Sequence, residues 1–258
     1  MTNLKSSNSF KITFTDKKQK LIELINADDL LCIDQKDLLI RALNSDSMLD
    51  YTSSSDLNRE EALSLTNNLS EVFDLSDYIA SGFDWAQLFV ICRGILDSVA
   101  VSIYADPNFN CDQMDVIRQG LVKNLNVSFY ANPRYNFMQM KEILEGLERN
   151  LDVSIYADPK YTWRQMLALR MGVQQHLDVT AYADPKYNYY QMDEIMLGIA
   201  KGLKVSIYAN PEYTAEQMYQ IRRGLLQGID VSKYADPSIS VEQMKQIRLD
   251  LLYAKKEE

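Results

Sequence analysis

One histidine and three cysteines are the only side chains in this 258-residue sequence with ready nucleophilic or soft-metal chemistry. His176 stands without a second histidine, and Cys32, Cys92 and Cys111 are odd in number and unevenly spaced. A metal centre needs several such ligands converging, and an activated thiol needs a base beside it, so the sequence supplies neither pattern. The three cysteines read as reduced thiols of a cytosolic protein, not as a disulfide framework. Phosphate-cradling glycine loops, metalloprotease helices and nucleophile elbows are absent from the sequence. The adjacent acids Asp28, Asp29, Glu60 and Glu61 read as helix-start charges on a solvated face. The expectation is a chain that is not an enzyme, with no catalytic residue, cofactor or metal.

What remains is the chemistry of recognition, carried by rings. Trp163, Leu167, Tyr189, Tyr190, Tyr219, Phe137 and Met138 fall at the first two, fifth and ninth positions of the long helix, where the residue changes from unit to unit of an internal repeat and Asp, Glu and Lys also occur. Aromatic and long apolar side chains at positions free to vary are the usual anchors of a partner-binding face. Some rings at the first helical position could instead cover the neighbouring repeat.

The repeat has a period of 26 residues, marked by Tyr78, Tyr104, Tyr130, Tyr156, Tyr182, Tyr208 and Tyr234 and stated most cleanly from Val153 to Asp178. A period of this size without insertion signals a solenoid, a stack of one supersecondary unit. The tenth residue of each unit is Asp84, Asn110, Asn136, Thr162, Asn188, Thr214 or Ser240, and a glutamine follows three residues later. That spacing predicts a helix opened by a capping box. The ring before each cap, from Phe83 to Tyr213 with Ile239 last, has the spacing of a hydrophobic staple with the Met or Leu five residues on. Gly94, Gly120, Gly146, Gly172, Gly198 and Gly224 recur in mid-helix, where glycine costs about 1 kcal/mol against alanine, and therefore suggest a close approach of helices. Arg118, Arg170, Arg222 and Arg248 alternate with apolar residues at the eighteenth position, and Arg170 is expected to pair with Asp158.

The stretch Asp-Val-Ser-Ile-Tyr-Ala-Asp-Pro fits two readings. As a strand, its β-branched alternation would make a leucine-rich-type array. As a short helix, Asp152 caps it and the Asp158-Pro159 step ends it. The third position ranges from Asp77 and Lys233 to Phe129, too varied for an inward strand residue, while the tyrosine never varies. The predicted fold is therefore all-α, an α-solenoid of two-helix repeats, one short and one long. Helix packing distances make seven units a rod or superhelix on the order of 60–70 Å long.

Before the repeats, residues 1–22 read as a partly disordered N-terminal segment, with Asp16 capping a first helix. Residues 23–74 read as a degenerate acidic helical cap, because Gln35 and Glu61 fall in register with Gln87, and Leu39 and Leu65 with Ile91. Residues 75–258 hold the seven repeats. Of the net charge of −9, the first 100 residues carry 9 basic and 16 acidic side chains, while the remainder is close to neutral with 18 and 20. Near-neutral repeats argue against non-specific nucleic-acid binding, which needs clustered positive charge. With no apolar run of membrane-spanning length, the reading is a soluble cytoplasmic protein whose partner is another protein.

The run YADPKYNYYQMDEIMLGIAKGLKVSIYANPEY resembles tandem repeats in proteins of gram-positive bacteria and their phages and conjugative elements. The resemblance covers residues 75–258, and its Tyr-Ala-Asp/Asn-Pro, Gln-Met and Gly-Leu motif specifies the repeat and not a function. It implies a mobile-element accessory protein. Together with the acidic N-terminal part, it suggests a phage or mobile-element inhibitor of a bacterial defence nuclease. The alternative from a different class is a modular single-stranded RNA reader that stacks one base on each unit's ring.

Overall fold

The computed structural model describes residues 13–44 and 57–257, and every regular element among them is helical. The helices are α1 (Phe14–Ala27), α2 (Ile33–Asn44), α3 (Arg59–Val72), α4 (Ser76–Ala80), α5 (Trp85–Leu96), α6 (Cys111–Val122), α7 (Phe137–Glu148), α8 (Trp163–Gln174), α9 (Tyr189–Ala200), α10 (Ala215–Leu226) and α11 (Val241–Glu257). The long helices α2, α3 and α5 to α11 begin 26 residues apart, at residues 33, 59, 85 and onward to 241. The helical frame thus starts before the recognisable repeats. The expected disorder near the N-terminus lies outside the described residues.

The chain forms two units, Met1–Phe137 and Met138–Glu258. In the first, α1 packs on α2, α3 and α5, and α5 continues onto α6. In the second, α8, α9, α10 and α11 pack each on the next, the stacking of a helical solenoid. Thr13, not Asp16, caps α1. Asp16 is the third helical residue and returns the reciprocal bond of a capping box.

The short element is one 3₁₀ turn in six repeats, such as Val153–Ile155, and a five-residue α-helix only in the first, α4. A single turn is what the flanking chemistry permits. Asp152 caps the turn by accepting from Ser154 N at 3.0 Å, and five residues after Val153 the Asp158-Pro159 step forbids a longer helix. Asp158 then accepts from Lys160 N at 3.0 Å, turning the chain toward the next long helix.

Capping boxes open α5, α6, α8, α9 and α10 as the spacing predicts. The glutamine has a second task. Its Oε1 accepts from the cap's own N–H while its Nε2 donates to two carbonyls of the following unit. For Gln165 these are Pro185 O at 3.0 Å and Tyr187 O at 2.6 Å, and for Gln217 they are Pro237 O at 2.9 Å and Ile239 O at 2.8 Å. One buried amide therefore finishes a helix and latches it to its neighbour, satisfying carbonyls of a proline turn that has no helical partner for them.

The recurring glycine marks the seat of a tyrosine ring, not a helix crossing. A Cβ at Gly172 would lie 2.0 Å from Tyr182 Oη and 2.7 Å from Val179 Cγ1, and the other five mid-helix glycines repeat this geometry. From Tyr104 to Tyr234 the six rings are fully buried. Tyr78 is only half-buried, for a visible reason: the position 26 residues before Gly94 is Asn68, which has a side chain and turns it to Asp28.

Helices α5 to α10 each end on a residue in the left-handed region, at Ser98, Asn124, Asn150, His176, Gly202 and Gly228, with φ between 55° and 66°. At α8, His176 N bonds to Val173 O and Leu177 N to Gly172 O, both at 3.0 Å, a Schellman closure. The lone histidine is thus an exposed helix stop in a conformation that disfavours a Cβ. His176→Gly, which copies Gly202 and Gly228, should stabilise the protein by about 0.5–1 kcal/mol and raise the melting temperature followed by circular dichroism.

Candidate functional site

The long helices divide their residues between contacts inside the array and a face turned outward. In α8, Met166, Ala168, Leu169 and Arg170 are buried, whereas Arg164 and Met171 are exposed and Trp163 and Leu167 half-buried. The second, fifth and ninth helical positions lie at i, i+3 and i+7 and so share one stripe. That stripe carries Tyr190, Asp193 and Leu197 on α9 and Glu216, Tyr219 and Arg223 on α10.

Of the seven residues singled out by their variation, the structure brings two into one pocket. Tyr190 and Tyr219 line a cavity of about 280 Å³ between α9 and α10, with Asp193, Glu194, Ala215 and Glu216 completing the lining. Tyr190 is 61% exposed, the most accessible of the candidate rings. Tyr189 is half-buried and meets the ring of Tyr190 edge-on, with centroids 5.3 Å apart. Trp163 and Leu167 sit one turn apart on α8 and do not join this lining. Phe137 and Met138 open α7, both half-buried, on either side of the division between the two units. Trp85, at the same helical position as Trp163, is buried, so in the first repeat that ring serves the core.

The rings already carry cations. The Arg164 guanidinium lies 5.2 Å from the centre of Trp163, and Arg222 and Arg223 each lie 5.6 Å from the centre of Tyr219. Arg223 Nη1 also donates to Tyr219 Oη at 3.2 Å. Burial holds the Asp193 carboxyl above the usual aspartate range, with Arg222 pulling the other way.

Arginines at the eighteenth position are internal, but not through the pairing expected from sequence. Arg170 bonds Glu142 at 2.8 Å and Glu145 at 3.0 Å, on the preceding long helix, and not Asp158. Arg222 reaches Glu194 at 2.7 Å, and Arg248 reaches Gln220 Oε1 at 3.1 Å, in each case 28 residues back. At the intervening Met196 the residue 28 back is Ala168, and both are buried. In these repeats a polar residue thus stands 28 back from each arginine, and an apolar one 28 back from the methionine. In the N-terminal unit Arg118 instead meets Asp115 and Asp97, and Arg93 joins Asp115 at 2.9 Å.

The N-terminal acids are not equivalent either. Asp28 is buried, accepting from Ser64 Oγ at 2.7 Å, Asn68 Nδ2 at 2.8 Å and Leu30 N at 3.0 Å. Glu61 completes the capping box of Asn58 and accepts from Gln35 Nε2 at 3.2 Å. Both carboxylates are spent inside the fold, while Asp29 and Glu60 are exposed.

Among the described residues no group of three or more His, Cys, Asp or Glu could hold a metal ion. Cys92 is buried, and burial with Asp112 and Asp84 nearby pushes the half-buried Cys111 thiol up to about 12, far from a reactive thiolate. No described helix is long and apolar enough to cross a membrane. Sequence reasoning missed the glutamine latch and the 28-residue pairing because both depend on which helices become neighbours. Comparison with family models, with curated proteins and with solved structures finds no match to this chain.

Proposed function

We propose that this protein is a non-enzymatic repeat scaffold that binds another protein along the outward stripe of α8, α9 and α10. The observation that carries the reading is the pocket shared by Tyr190 and Tyr219, set on a repeat whose remaining conserved-in-type positions are consumed by internal contacts. Exposed tyrosines bring large contact area with few rotatable bonds, which suits them to anchor an interface. Leu167 extends the same stripe on α8, with Trp163 one turn before it. The working compartment in this reading is aqueous, as in the cytoplasm.

The reading as an inhibitor of a bacterial defence nuclease rests on the repeat resemblance and on surface acids. Any acidic mimicry would have to use Asp29 and Glu60, since Asp28 and Glu61 have internal partners. The single-stranded RNA alternative draws on the arginines stacked at Trp163 and Tyr219, an arrangement that also suits a base. Against it stand Asp193, Glu194 and Glu216 around the pocket, whose charge repels a phosphate backbone.

Replacing Trp163 and Tyr190 together by alanine tests the protein-binding reading. The expected result is a melting curve changed by no more than about 1 kcal/mol, because both side chains retain solvent exposure, with loss of the protein captured by the wild-type chain from a bacterial lysate. Retained capture overturns it. Salt-sensitive binding of mixed single-stranded RNA on filters would transfer the stripe to the alternative.

A further inference from the structure

The chain contains an internal comparison that identifies what the α9–α10 pocket lacks. Asp193 and Asp115 occupy the same helical position three repeats apart. Asp115 is fully paired: Arg93 Nη1 lies 2.9 Å from its carboxylate, and Arg118 donates to it through Nε and Nη2, each at 2.9 Å. The residues corresponding to Arg93 and Arg118 beside Asp193 are Met171 and Met196. Among the described residues Asp193 has no hydrogen bond or ion pair, and Arg222 is engaged by Glu194 at 2.7 Å. Glu216, also on the lining, is exposed. A half-buried carboxylate between two tyrosine rings, missing the guanidinium its counterpart holds, is a site for a cation with a flat apolar face.

We propose that the pocket lined by Tyr190, Asp193, Glu216 and Tyr219 receives an arginine side chain of the protein partner, its guanidinium on Asp193 and its stem against the tyrosine rings. This rests on the protein-binding reading and names the chemistry of the residue recognised. Arginine fits better than lysine because its planar fork can bond a carboxylate and lie on an aromatic face at once, as Arg222 does with Glu194 and the Tyr219 ring. Glu194 is neutralised from within by Arg222, so the charge on offer is that of Asp193 and Glu216.

The probe is acetyl-arginine amide, titrated into the full chain labelled with ¹³C in its tyrosine rings and followed by NMR. The expected result is a saturable shift of the Tyr190 and Tyr219 signals, weakened about tenfold by Asp193→Asn, and at least severalfold weaker binding of acetyl-lysine amide and acetyl-glutamine amide. Equal binding of the glutamine or lysine probe overturns the assignment, as does an unsaturable shift with the arginine probe. Tyr190→Ala, at an exposed position that cannot unfold the chain, provides a second variant and should also weaken the probe; unchanged binding there counts against the pocket. Met171→Arg places a cation where Asp115 has Arg93 and should block the probe. A partner still captured by Asp193→Asn, with probe binding lost, would leave the protein-binding reading standing and remove this proposal. A partner retained by the Trp163 and Tyr190 double variant removes the broader reading, while the titration still reports on the pocket.

Discussion

Arg170→Met should destabilise the protein by about 3 kcal/mol at neutral pH, and Arg170→Met combined with Glu142→Ala should recover most of that loss. The single change strands a carboxylate. Glu142 is 9% exposed and loses its 2.8 Å bond to Arg170, while the double change copies the buried Met196 and Ala168 that occupy the same positions one repeat later. A buried charge left alone is costly, whereas an ion pair replaced by apolar groups of fitting shape is close to neutral. The pH dependence has a definite sign. Burial already raises the Glu142 carboxyl above its ordinary value, with Arg170 opposing, so removal of the arginine raises it further. With the folded value above the unfolded one, stability is regained as pH falls and Glu142 takes up a proton. The single variant should therefore lose less at about pH 5 than at about pH 8. Urea unfolding followed by Trp163, in the same helix as Arg170, measures each of these differences. Equal losses in the single and double variants would refute the pairing.

Gly172→Ala should cost about 2–3 kcal/mol, although alanine is the better helix former by about 1 kcal/mol. The new methyl would stand 2.0 Å from Tyr182 Oη and 2.7 Å from Val179 Cγ1, and a fully buried ring has nowhere to move. Tyr182 offers an unusual control because its hydroxyl has no hydrogen-bond partner among the described residues. Tyr182→Phe on its own should therefore change stability by less than about 1 kcal/mol, since no bond is lost. In the presence of Tyr182→Phe, Gly172→Ala should become milder, because the 2.0 Å clash with the hydroxyl is gone and only Val179 Cγ1 at 2.7 Å and Cζ at 3.3 Å are left to give way. A double-mutant cycle with a coupling of about 1 kcal/mol or more confirms the seat; additive effects would place the glycine's role elsewhere.

Much of the local structure was legible because it depends on near neighbours in the chain. The cap and its glutamine sit three residues apart, the staple spans the first turn, and the Asp-Pro step closes the short element. These are contacts a sequence can state. The extent of the short element was less legible, since a capped turn and a capped helix begin alike and only the proline turn's geometry limits it to three residues. Arg170 shows the limit more sharply. Its nearest acid in the repeat motif is Asp158, but the helix-to-helix step of the array brings the residue 28 back, Glu142, against its guanidinium. The candidate face was legible as variation, yet variation treats Trp85 and Trp163 alike, and packing buries the first while leaving the second half-exposed.

The sequence by itself determined an all-helical 26-residue unit, with its caps, its tyrosine and its glycine, because backbone hydrogen bonding and steric fit act within a few residues. It also marked which helical positions are free to change. Only the tertiary structure decided what those parts do to one another. It seated each tyrosine from Tyr104 onward on the glycine ten residues before it, extended each box glutamine to the next unit's carbonyls, and drew Asp28 and Glu61 inward. It also set Asp193 in one pocket with Tyr190 and Tyr219, with no cation bonded to its carboxylate among the described residues. The reason is physical: burial, and the charge left unpaired by it, is a property of neighbouring helices and not of any one segment.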